Sequence, residues 1–422
     1  MGNKKKKSST LFLFWKTLGP GLITGASDDD PSGIATYSQA GAAYGLSTLW
    51  TALITFPLMA SIQEMCARIG IVTSQGLTGT LKTNYPKPIL YLMVLFSFPA
   101  IIMNIGADIA AMGAVGNLLI PTVHPTYFSV AFTILLLVLI IYLPYQKIAG
   151  VLKYLCIVLL VYLVVPFLCK QDLPAILKST FVPTIHFNKD FISILVAILG
   201  TTISPYLFFW QATMEVEEMK HKKHLVVNKK IMSNMKQDVD FGMLFSNIIM
   251  YFLILTAGSV LFKGGIHTID TVEQAAQALK PLAGNWAYFL FSLGVIGTGL
   301  LAIPVLSGSL SYIVTEAFGW EEGLDKKFHE AKAFYIIIII SLLVGLSLTY
   351  LGISPIQELI YSAILYGLTA PVLIAIILHI SNNKKVMGEF TNGKLSNIFG
   401  FAALILMTAA AVVLVYMQLS SQ

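Results

Sequence analysis

At residues 28–33 the chain reads Asp-Asp-Asp-Pro-Ser-Gly, in the middle of an otherwise apolar segment. A charged group at the centre of a bilayer costs about 2.5–3.5 kcal/mol on insertion scales, so such groups are rarely retained without a function. Pro31 lacks a backbone N–H and interrupts the hydrogen-bond ladder of a helix. The stretch therefore predicts a broken membrane helix, whose freed carbonyls and the Asp30 carboxylate form a small oxygen-lined cation site.

A second break of the same kind is predicted at residues 200–206, which read Gly-Thr-Thr-Ile-Ser-Pro-Tyr. It lies in the second half of the chain, again within an apolar segment. In transporters, paired interrupted helices in corresponding halves are the best sequence indication of the substrate site. The two breaks are therefore predicted to face each other across one site.

The composition is that of a protein with many membrane spans. Of 422 residues, 56% are hydrophobic and 11% are charged, whereas a soluble domain has about 25% charged residues. A helix needs about 20 apolar residues to cross a bilayer. Windows of that length predict eleven spans, at approximately residues 17–45, 47–70, 88–119, 125–144, 149–169, 190–218, 238–263, 285–318, 333–351, 355–380 and 396–419.

The positions of lysine and arginine predict the orientation of these spans. With a cytoplasmic N-terminus, only five of the 27 basic residues fall outside, namely Lys170, Lys178, Lys189, Lys263 and Lys280. This asymmetry is the positive-inside rule, and it predicts a multi-pass protein of the cell membrane, in contact with the lipid bilayer. The net charge of +6 is explained by the cytoplasmic loops, so it does not indicate a nucleic-acid partner.

The spans are predicted to form an inverted repeat in an all-α protein. A basic loop at residues 220–236 joins two sets of five spans, and an odd number per set makes the second set enter from the opposite side. The predicted organisation is a basic cytoplasmic N-terminus (1–16), a first repeat (17–169), an extracellular linker (170–189), a second repeat (190–380), and a loop with an eleventh helix (381–422). A short external helix is expected at about Val272–Leu279.

Motifs in the first three spans carry a resemblance to a known family. Residues 30–36 read Asp-Pro-Ser-Gly-Ile-Ala-Thr, residues 39–42 read Gln-Ala-Gly-Ala, residues 63–73 end the second span, and residues 104–110 read Asn-Ile-Gly-Ala-Asp-Ile-Ala. In this order and spacing they resemble the natural resistance-associated macrophage protein (NRAMP) family of divalent metal transporters. The resemblance implies the LeuT fold, an inverted repeat of five plus five helices with an eleventh, and interruptions in helices 1 and 6.

The resemblance also implies the metal site, and the chain departs from the family pattern there. The metal-binding aspartate is Asp30, while the family's asparagine is Gly33 and its methionine is Ser204. A backbone carbonyl of the site would belong to Thr201, and a polar glutamine of helix 10 corresponds to Thr369. The implied site keeps its charge and loses its thioether.

Residues that handle protons in the family are only partly kept. The aspartate of helix 3 is Asp108, the glutamate three residues later is Ala111, and the histidine of helix 6 is Tyr206. Two of these groups are therefore absent, which favours a uniport driven by the membrane potential over proton coupling. Asp28 and Asp29 are further candidates: either could contact the ion directly, or one faces a water-filled vestibule and the other pairs with a helix end.

The loss of the methionine bears on which ion is carried. A thioether is a soft ligand that favours late transition metals over hard cations. Ser204 leaves an oxygen lining, and Mg²⁺ is a hard ion that usually keeps several waters. The chain therefore resembles the magnesium-transporting branch of the family, and Mg²⁺, Mn²⁺ or both are the expected cargo. No cofactor is expected besides this transported cation.

Simpler interpretations of the same residues stay open. Asp30 could be a helix cap for the second half-helix. Ser204 and Thr201 could be small residues that let helices approach closely. Asp108 could be a neutral, hydrogen-bonded carboxyl in place of a proton relay. A carrier of an amino acid or another small organic substrate could also use this fold, because Gly33 and Ser204 leave room.

Other charged residues are predicted to be structural or to face water. Glu64 precedes Arg68 by four residues on one helix face, which favours an ion pair. Glu316, near the end of the eighth span, is expected to face cytoplasmic water. No soluble domain that could transmit a signal is predicted, and nucleotide-binding motifs are missing, so a sensor and an ATP-driven pump are both disfavoured.

Overall fold

The computed structural model describes residues 19–143, 147, 159–169, 171–221 and 227–420. Within these ranges the chain forms helices and contains no strand. The first nine helices are α1 (Pro20–Asp28), α2 (Pro31–Tyr44), α3 (Trp50–Thr73), α4 (Leu77–Asn84), α5 (Lys87–Leu119), α6 (Pro125–Tyr142), α7 (Val161–Leu168), α8 (Leu173–Phe181) and α9 (Lys189–Thr202). The others are α10 (Pro205–His221), α11 (Lys229–Ala257), α12 (Val272–Ala276), α13 (Lys280–Ala283), α14 (Ala287–Phe318), α15 (Lys332–Leu348), α16 (Pro355–Asn382), α17 (Lys384–Met387) and α18 (Lys394–Ser420).

Eight helical segments of the described part are long and apolar enough to cross a membrane. They are Lys87–Leu119, Pro125–Tyr142, Lys189–Lys220, Lys229–Phe262, Ala287–Phe318, Lys332–Leu351, Pro355–Asn382 and Lys394–Ser420. The third of them combines α9 and α10, which a break separates. Each of these segments coincides with a span predicted from the sequence.

The remaining predicted spans need separate accounts. The first consists of α1 and α2, which have 9 and 14 residues and are each too short to cross alone. The second is α3, whose 24 residues extend about 36 Å. It contains the predicted ion pair, with Arg68 Nη2 3.1 Å from Glu64 Oε2. The fifth, at residues 149–169, lies largely outside the described ranges, and α7 is its described part.

The two repeats pack around the broken helices. Helices α5 and α14, which are equivalent members of the two repeats, lie against each other, and α16 packs on both α5 and α9. The second half of the first broken helix, α2, packs on α11, and its equivalent α10 packs on α3. This is the expected all-α architecture, with an inverted repeat, an eleventh helix, and breaks in helices 1 and 6 that bring both breaks to the centre.

Small residues allow the helices that flank the breaks to touch through their backbones. A Cβ atom added at Gly25 of α1 would lie 2.1 Å from the carbonyl oxygen of Gly242 in α11. A Cβ atom at Gly70 of α3 would lie 2.0 Å from the carbonyl oxygen of Ala212 in α10. Small residues commonly permit such close helix contacts in membranes. They bring α1 and α10 as near to their neighbours as backbone atoms allow.

Two short segments differ in how well the sequence anticipated them. The predicted external helix near Val272–Leu279 is present as α12 followed by one 3₁₀ turn. The segment that follows α3 contains the short helix α4, which was not predicted. The carboxylate of Glu316 accepts hydrogen bonds from the Gly79 backbone N–H of α4, at 2.7 Å, and from the Thr213 hydroxyl, at 3.3 Å. Glu316 therefore fastens α4 to the bundle instead of extending into water as expected.

Candidate functional site

The first break spans two residues between α1 and α2. Asp29 leaves the helical conformation with φ −85° and ψ 51°, and Asp30 is extended with φ −69° and ψ 173°. Pro31 then begins α2, where its missing N–H costs nothing because the first N–H groups of a helix have no internal partner. The Asp30 carboxylate caps α2, since its Oδ1 accepts the Gly33 N–H at 2.8 Å and the Ser32 hydroxyl at 2.7 Å.

The second break repeats this geometry between α9 and α10. Ile203 leaves the helix with φ −109° and ψ 62°, close to the values at Asp29, and Pro205 begins α10. The Ser204 hydroxyl lies 2.5 Å from the carbonyl oxygen of Thr201 and 3.4 Å from Oδ1 of Asp28. Ser204 thus binds back to α9 and across to the first break, whereas Asp30 caps the helix that follows it.

The two breaks are in direct contact. The hydroxyl oxygens of Ser32 and Thr201 lie 3.2 Å apart, and the Tyr37 hydroxyl lies 2.9 Å from the Thr202 hydroxyl. A Cβ atom at Gly33 would lie 3.4 Å from the Asp28 carbonyl oxygen and 3.6 Å from Thr201 Oγ1. The residues predicted at the centre of the site, except Thr369, are therefore brought together in the fold.

Asp28 and Asp29 share one hydroxyl donor, whereas Asp30 has other partners. Asp28 Oδ2 accepts the Ser246 hydroxyl of α11 at 2.7 Å, and Asp29 Oδ1 lies 3.3 Å from the same hydroxyl. All three acids are buried, with at most 1% of each residue exposed. In the described part of the chain, no group of three or more His, Cys, Asp or Glu side chains is arranged to share a metal ion.

Asn104 and Ser362 belong to the site but were not assigned to it from the sequence. The Asn104 amide nitrogen donates to Asp30 Oδ2 at 2.8 Å, and the Ser362 hydroxyl donates to Asn104 Oδ1 at 2.9 Å. These bonds join α2, α5 and α16 at the break. The motif at residues 104–110 marked this part of α5, but no local signal indicates that Asn104 reaches a residue 74 positions away.

Thr369 lies apart from this cluster. Its hydroxyl donates to the Leu365 carbonyl, at 2.9 Å, within α16. It follows Ser362 by seven residues, which is about 10 Å along the helix. Among the residues that the structure describes, no hydrogen bond connects Thr369 with the three acids, whereas Ser362 is linked to Asp30 through Asn104.

The Tyr206 hydroxyl has a hydrogen-bond partner, whereas the Asp108 carboxyl has none among the described residues. The Tyr206 hydroxyl donates to the Ser27 carbonyl in the last turn of α1, at 2.8 Å, so it satisfies one of the free carbonyls at the first break. Its ring packs against Tyr366 with centroids 5.8 Å apart. Asp108 is fully buried one turn beyond Asn104 in α5, and within the described ranges neither carboxyl oxygen has a hydrogen-bond partner.

A vestibule lies at one end of the bundle, beside α2, α9 and α16. Its volume is about 770 Å³, and its lining includes Gln39, Asp190, Asp270, Tyr361 and Leu414. On the other side, where α1 begins, the chain is closed by contacts between α1, α10 and α11. The Thr24 hydroxyl, for example, lies 2.5 Å from Gln211 Oε1 of α10. None of Asp28, Asp29 and Asp30 lines this vestibule, and each is at most 1% exposed, so the three acids are closed off from this side as well.

An inverted repeat and two broken helices that meet at its centre are the architecture of a membrane transporter. Residues 21–417 match the sequence profile of the family described as "Natural resistance-associated macrophage protein-like". The chain belongs to this family, as its motifs predicted, and is a membrane transporter and not an enzyme.

Curated relatives and solved structures agree with this assignment. The chain is 24% identical over 394 residues to the "Divalent metal cation transporter MntH" of Caldanaerobacter subterraneus subsp. tengcongensis, covering 92% of this chain and 89% of the relative. It is 25% identical over 404 residues to the protein of the same name in Bacillus subtilis, covering 94% and 91%.

Among solved structures, the Eremococcus coleocola manganese transporter in complex with an aromatic bis-isothiourea substituted compound has a TM-score of 0.75 at 16% identity, covering 97% of this chain and 88% of that one. Mhp1, a nucleobase-cation-symport-1 family transporter, has a TM-score of 0.59 at 11% identity, covering 93% and 91%. At such low identity these two likenesses concern the fold alone.

Proposed function

We propose that the protein carries divalent metal cations across the cell membrane by alternating access, with the Asp30 carboxylate as the principal charge of the site. The observation that carries this proposal is the burial of Asp30 between two breaks lined by hydroxyl and carbonyl oxygens. Ser32, Thr201 and Ser204 are the nearest such residues. The curated relatives are named divalent metal cation transporters, which supports the same cargo class.

The ligand chemistry favours hard ions. All the candidate ligands carry oxygen, and neither Gly33 nor Ser204 supplies the amide or the thioether that the family has there. Hard oxygen ligands suit Mg²⁺ and Mn²⁺ and separate the two poorly. Mg²⁺ gives up its water reluctantly, so a site with one carboxylate suits a partly hydrated ion. We expect Mg²⁺ and Mn²⁺ to compete for one site.

Proton coupling has weak support in this arrangement. Tyr206 uses its hydroxyl to hold the end of α1, and Ala111 is an apolar residue buried to 1% exposure. Neither replaces the titrating group that the family has at its position. The membrane potential alone provides a doubly charged ion with about 4.6 kcal/mol per 100 mV. Where the cytoplasm is at the negative potential, that force directs the cation inward.

The test is uptake into proteoliposomes that contain a trapped pH dye. Mg²⁺, Mn²⁺ and Ca²⁺ are compared with and without a pH gradient, and amino acids are added as competitors. We expect uptake of Mg²⁺ and Mn²⁺ that follows the membrane potential and leaves the internal pH unchanged. A pH drop that depends on the metal and is lost in Asp108→Asn would contradict the uniport. Uptake of an amino acid by vesicles that take up no metal ion would favour the organic carrier.

The role of Asp30 needs a variant that separates charge from capping. Asp30→Ala removes both, and loss of the cap alone costs about 1 kcal/mol. Asp30→Asn keeps an oxygen for the Gly33 N–H and removes the charge. We expect both variants to lose metal binding in calorimetry, while Asp240→Asn at the edge of α11 binds normally. Affinity equal to the wild type in Asp30→Asn would remove this carboxylate from the site.

A further inference from the structure

The side chain of Asn104 is held at both ends of its amide. Its Nδ2 donates to Asp30 Oδ2 at 2.8 Å, and its Oδ1 accepts from Ser362 Oγ at 2.9 Å. Asn104 and Ser362 are both fully buried. No other side-chain amide is recorded in contact with the Asp30 carboxylate among the described residues. This amide is therefore an immediate neighbour of the group that would carry the cargo charge.

In the observed orientation, the amide turns its N–H end toward the Asp30 carboxylate. A carboxylate offers about four lone-pair positions. Three donors already reach Asp30, two on Oδ1 and one on Oδ2. A cation at Oδ2 would meet the positive N–H end of the Asn104 amide. Turning the amide by half a revolution would replace that repulsion with a carbonyl oxygen, which is a good ligand for hard cations.

Ser362 can support both orientations of this amide. Its hydroxyl oxygen lies 2.9 Å from Asn104 Oδ1 and 2.8 Å from the Leu359 carbonyl. A serine hydroxyl has one donor and two acceptor positions. It can donate to Asn104 Oδ1, or donate to Leu359 and accept from Asn104 Nδ2. In both arrangements, the Asn104 atom that faces Ser362 has a hydrogen-bond partner. The amide can therefore turn without the free-energy cost of an unpaired buried polar atom.

We propose that Asn104 is a further ligand of the transported cation, and that its amide turns over when the ion binds so that Oδ1 faces the metal. This inference rests on the proposed function. The family has its metal-binding asparagine at the position of Gly33 in this chain. Asn104 of α5 would supply the amide ligand in its place. Ser362 is then a positioning residue that holds the Asn104 amide in each state.

Replacing the ligand atom by one of different softness tests this assignment. Calorimetry on the purified full-length chain compares Mg²⁺ with Cd²⁺ for the wild type, Asn104→Ala and Asn104→Cys. We expect Asn104→Ala to bind Mg²⁺ about 10- to 100-fold more weakly. Asn104→Cys should bind Cd²⁺ at least about tenfold more tightly than Asn104→Ala does, because a thiolate favours soft ions. A residue that only positions Asp30 would not produce this gain.

Matched variants control for folding and for the native cysteines. Asn117→Ala and Asn117→Cys lie on the same helix, at the vestibule end of α5, and should bind both ions like the wild type. Ser362→Ala should weaken Mg²⁺ binding by about tenfold without a change in the preference between Mg²⁺ and Cd²⁺. Gel filtration and melting temperature identify any variant that fails to fold, and Ser362→Ala then remains as the second test.

The outcomes separate this inference from the proposed function. Wild-type Mg²⁺ affinity in Asn104→Ala, or an equal ratio of Cd²⁺ to Mg²⁺ affinity in Asn104→Ala and Asn104→Cys, removes Asn104 from the ligand set and leaves the transport proposal intact. A wild-type chain that binds no divalent ion overturns both.

Discussion

Oδ2 of Asp238 lies 2.7 Å from the backbone nitrogen of Gly21, and Oδ1 of the same carboxylate lies 2.8 Å from that of Gly19. The first N–H groups of a helix have no partner within it, and a carboxylate there also meets the positive end of the helix dipole. Asp238 on α11 therefore holds the start of α1 in place. This bond closes the side of the molecule opposite the vestibule.

Removing the Asp238 carboxylate should open that side. We expect Asp238→Ala to destabilise the closed arrangement of α1 on α11 by about 1–2 kcal/mol, which is the cost of losing a helix cap. In a cysteine-free background with Ser27→Cys, a small water-soluble thiol reagent should then react about tenfold faster. Asp238→Asn keeps one acceptor oxygen, so its rate of reaction should lie between those of the wild type and Asp238→Ala. Asp240→Ala serves as the control. An unchanged rate in Asp238→Ala would show that the bond does not control access.

Adding one methyl group at Gly25 should separate α1 from α11. Its Cβ would lie 2.1 Å from the Gly242 carbonyl oxygen, and backbone atoms cannot yield as a flexible side chain can. Overpacking of this kind typically costs about 1–3 kcal/mol. We expect a lower melting temperature in detergent for Gly25→Ala. Gly393→Ala, which meets nothing within 4 Å, is the control, and equal melting of the two variants would contradict the close contact.

Restoring the family's ligands should shift the ion preference toward Mn²⁺. Ser204→Met supplies a thioether, and Gly33→Asn supplies an amide at the first break. The new Cβ at Gly33 would lie 3.3 Å from Tyr37 Cε2, so the ring must move by a few tenths of an ångström. We expect the double variant to bind Mn²⁺ more tightly in calorimetry with Mg²⁺ as competitor. Ser204→Ala, which adds no sulfur, should show no such gain.

Glu322 should make stability depend on pH near neutrality. Glu322 lies between α14 and α15. Burial raises the pKa of its carboxyl from 4.5 to about 7, although the hydrogen bond from Thr315 acts in the opposite direction and lowers this pKa. Because the folded-state pKa is raised, the stabilisation is complete below about pH 4.5 and is lost as the pH rises through 7. Glu322→Gln should remove this loss, leaving the variant more stable than the wild type at pH 8 by about 1–2 kcal/mol after solvent screening.

The neighbouring Glu321 provides a control of opposite sign. It is fully exposed, and the hydrogen bond and charge of Lys326 lower its pKa. Glu321→Gln should therefore not reproduce the gain of Glu322→Gln at high pH. Thermal melts from pH 5 to pH 8 measure both, and a difference between wild type and Glu322→Gln that does not change with pH would contradict the assignment.

The features that the sequence predicted well depend on local rules. Proline after a polar residue in an apolar segment marks a helix break, and the breaks fall at Pro31 and Pro205 as expected. The Glu64–Arg68 pair follows from helical spacing alone, and its distance is 3.1 Å. Hydrophobic length alone located the described spans, because a helix needs about 20 apolar residues to cross a bilayer.

The features that were missed depend on contacts between distant parts of the chain. Asn104 and Ser362 are 258 positions apart, and only the packing of α5 on α16 brings them together. Glu316 was expected to face water because α4, the helix that it binds, has few apolar residues and was not predicted. The role of Thr369 rested on a position in the family and stays a prediction, whereas the link of Ser362 to Asp30 through Asn104 had no sequence signal.

The shared use of the Asp30 carboxylate bears on how long the cargo stays. The same group caps α2 and accepts from Asn104, so an incoming ion has to compete with three donors already in place. Hydrogen bonds to charged groups are worth about 1.5–3 kcal/mol each, and whatever the ion displaces is subtracted from its binding free energy. Affinity differences appear mainly in dissociation rates. In the proposed site, the helix cap would therefore shorten the residence time of the ion, and rapid release is what sustained turnover requires.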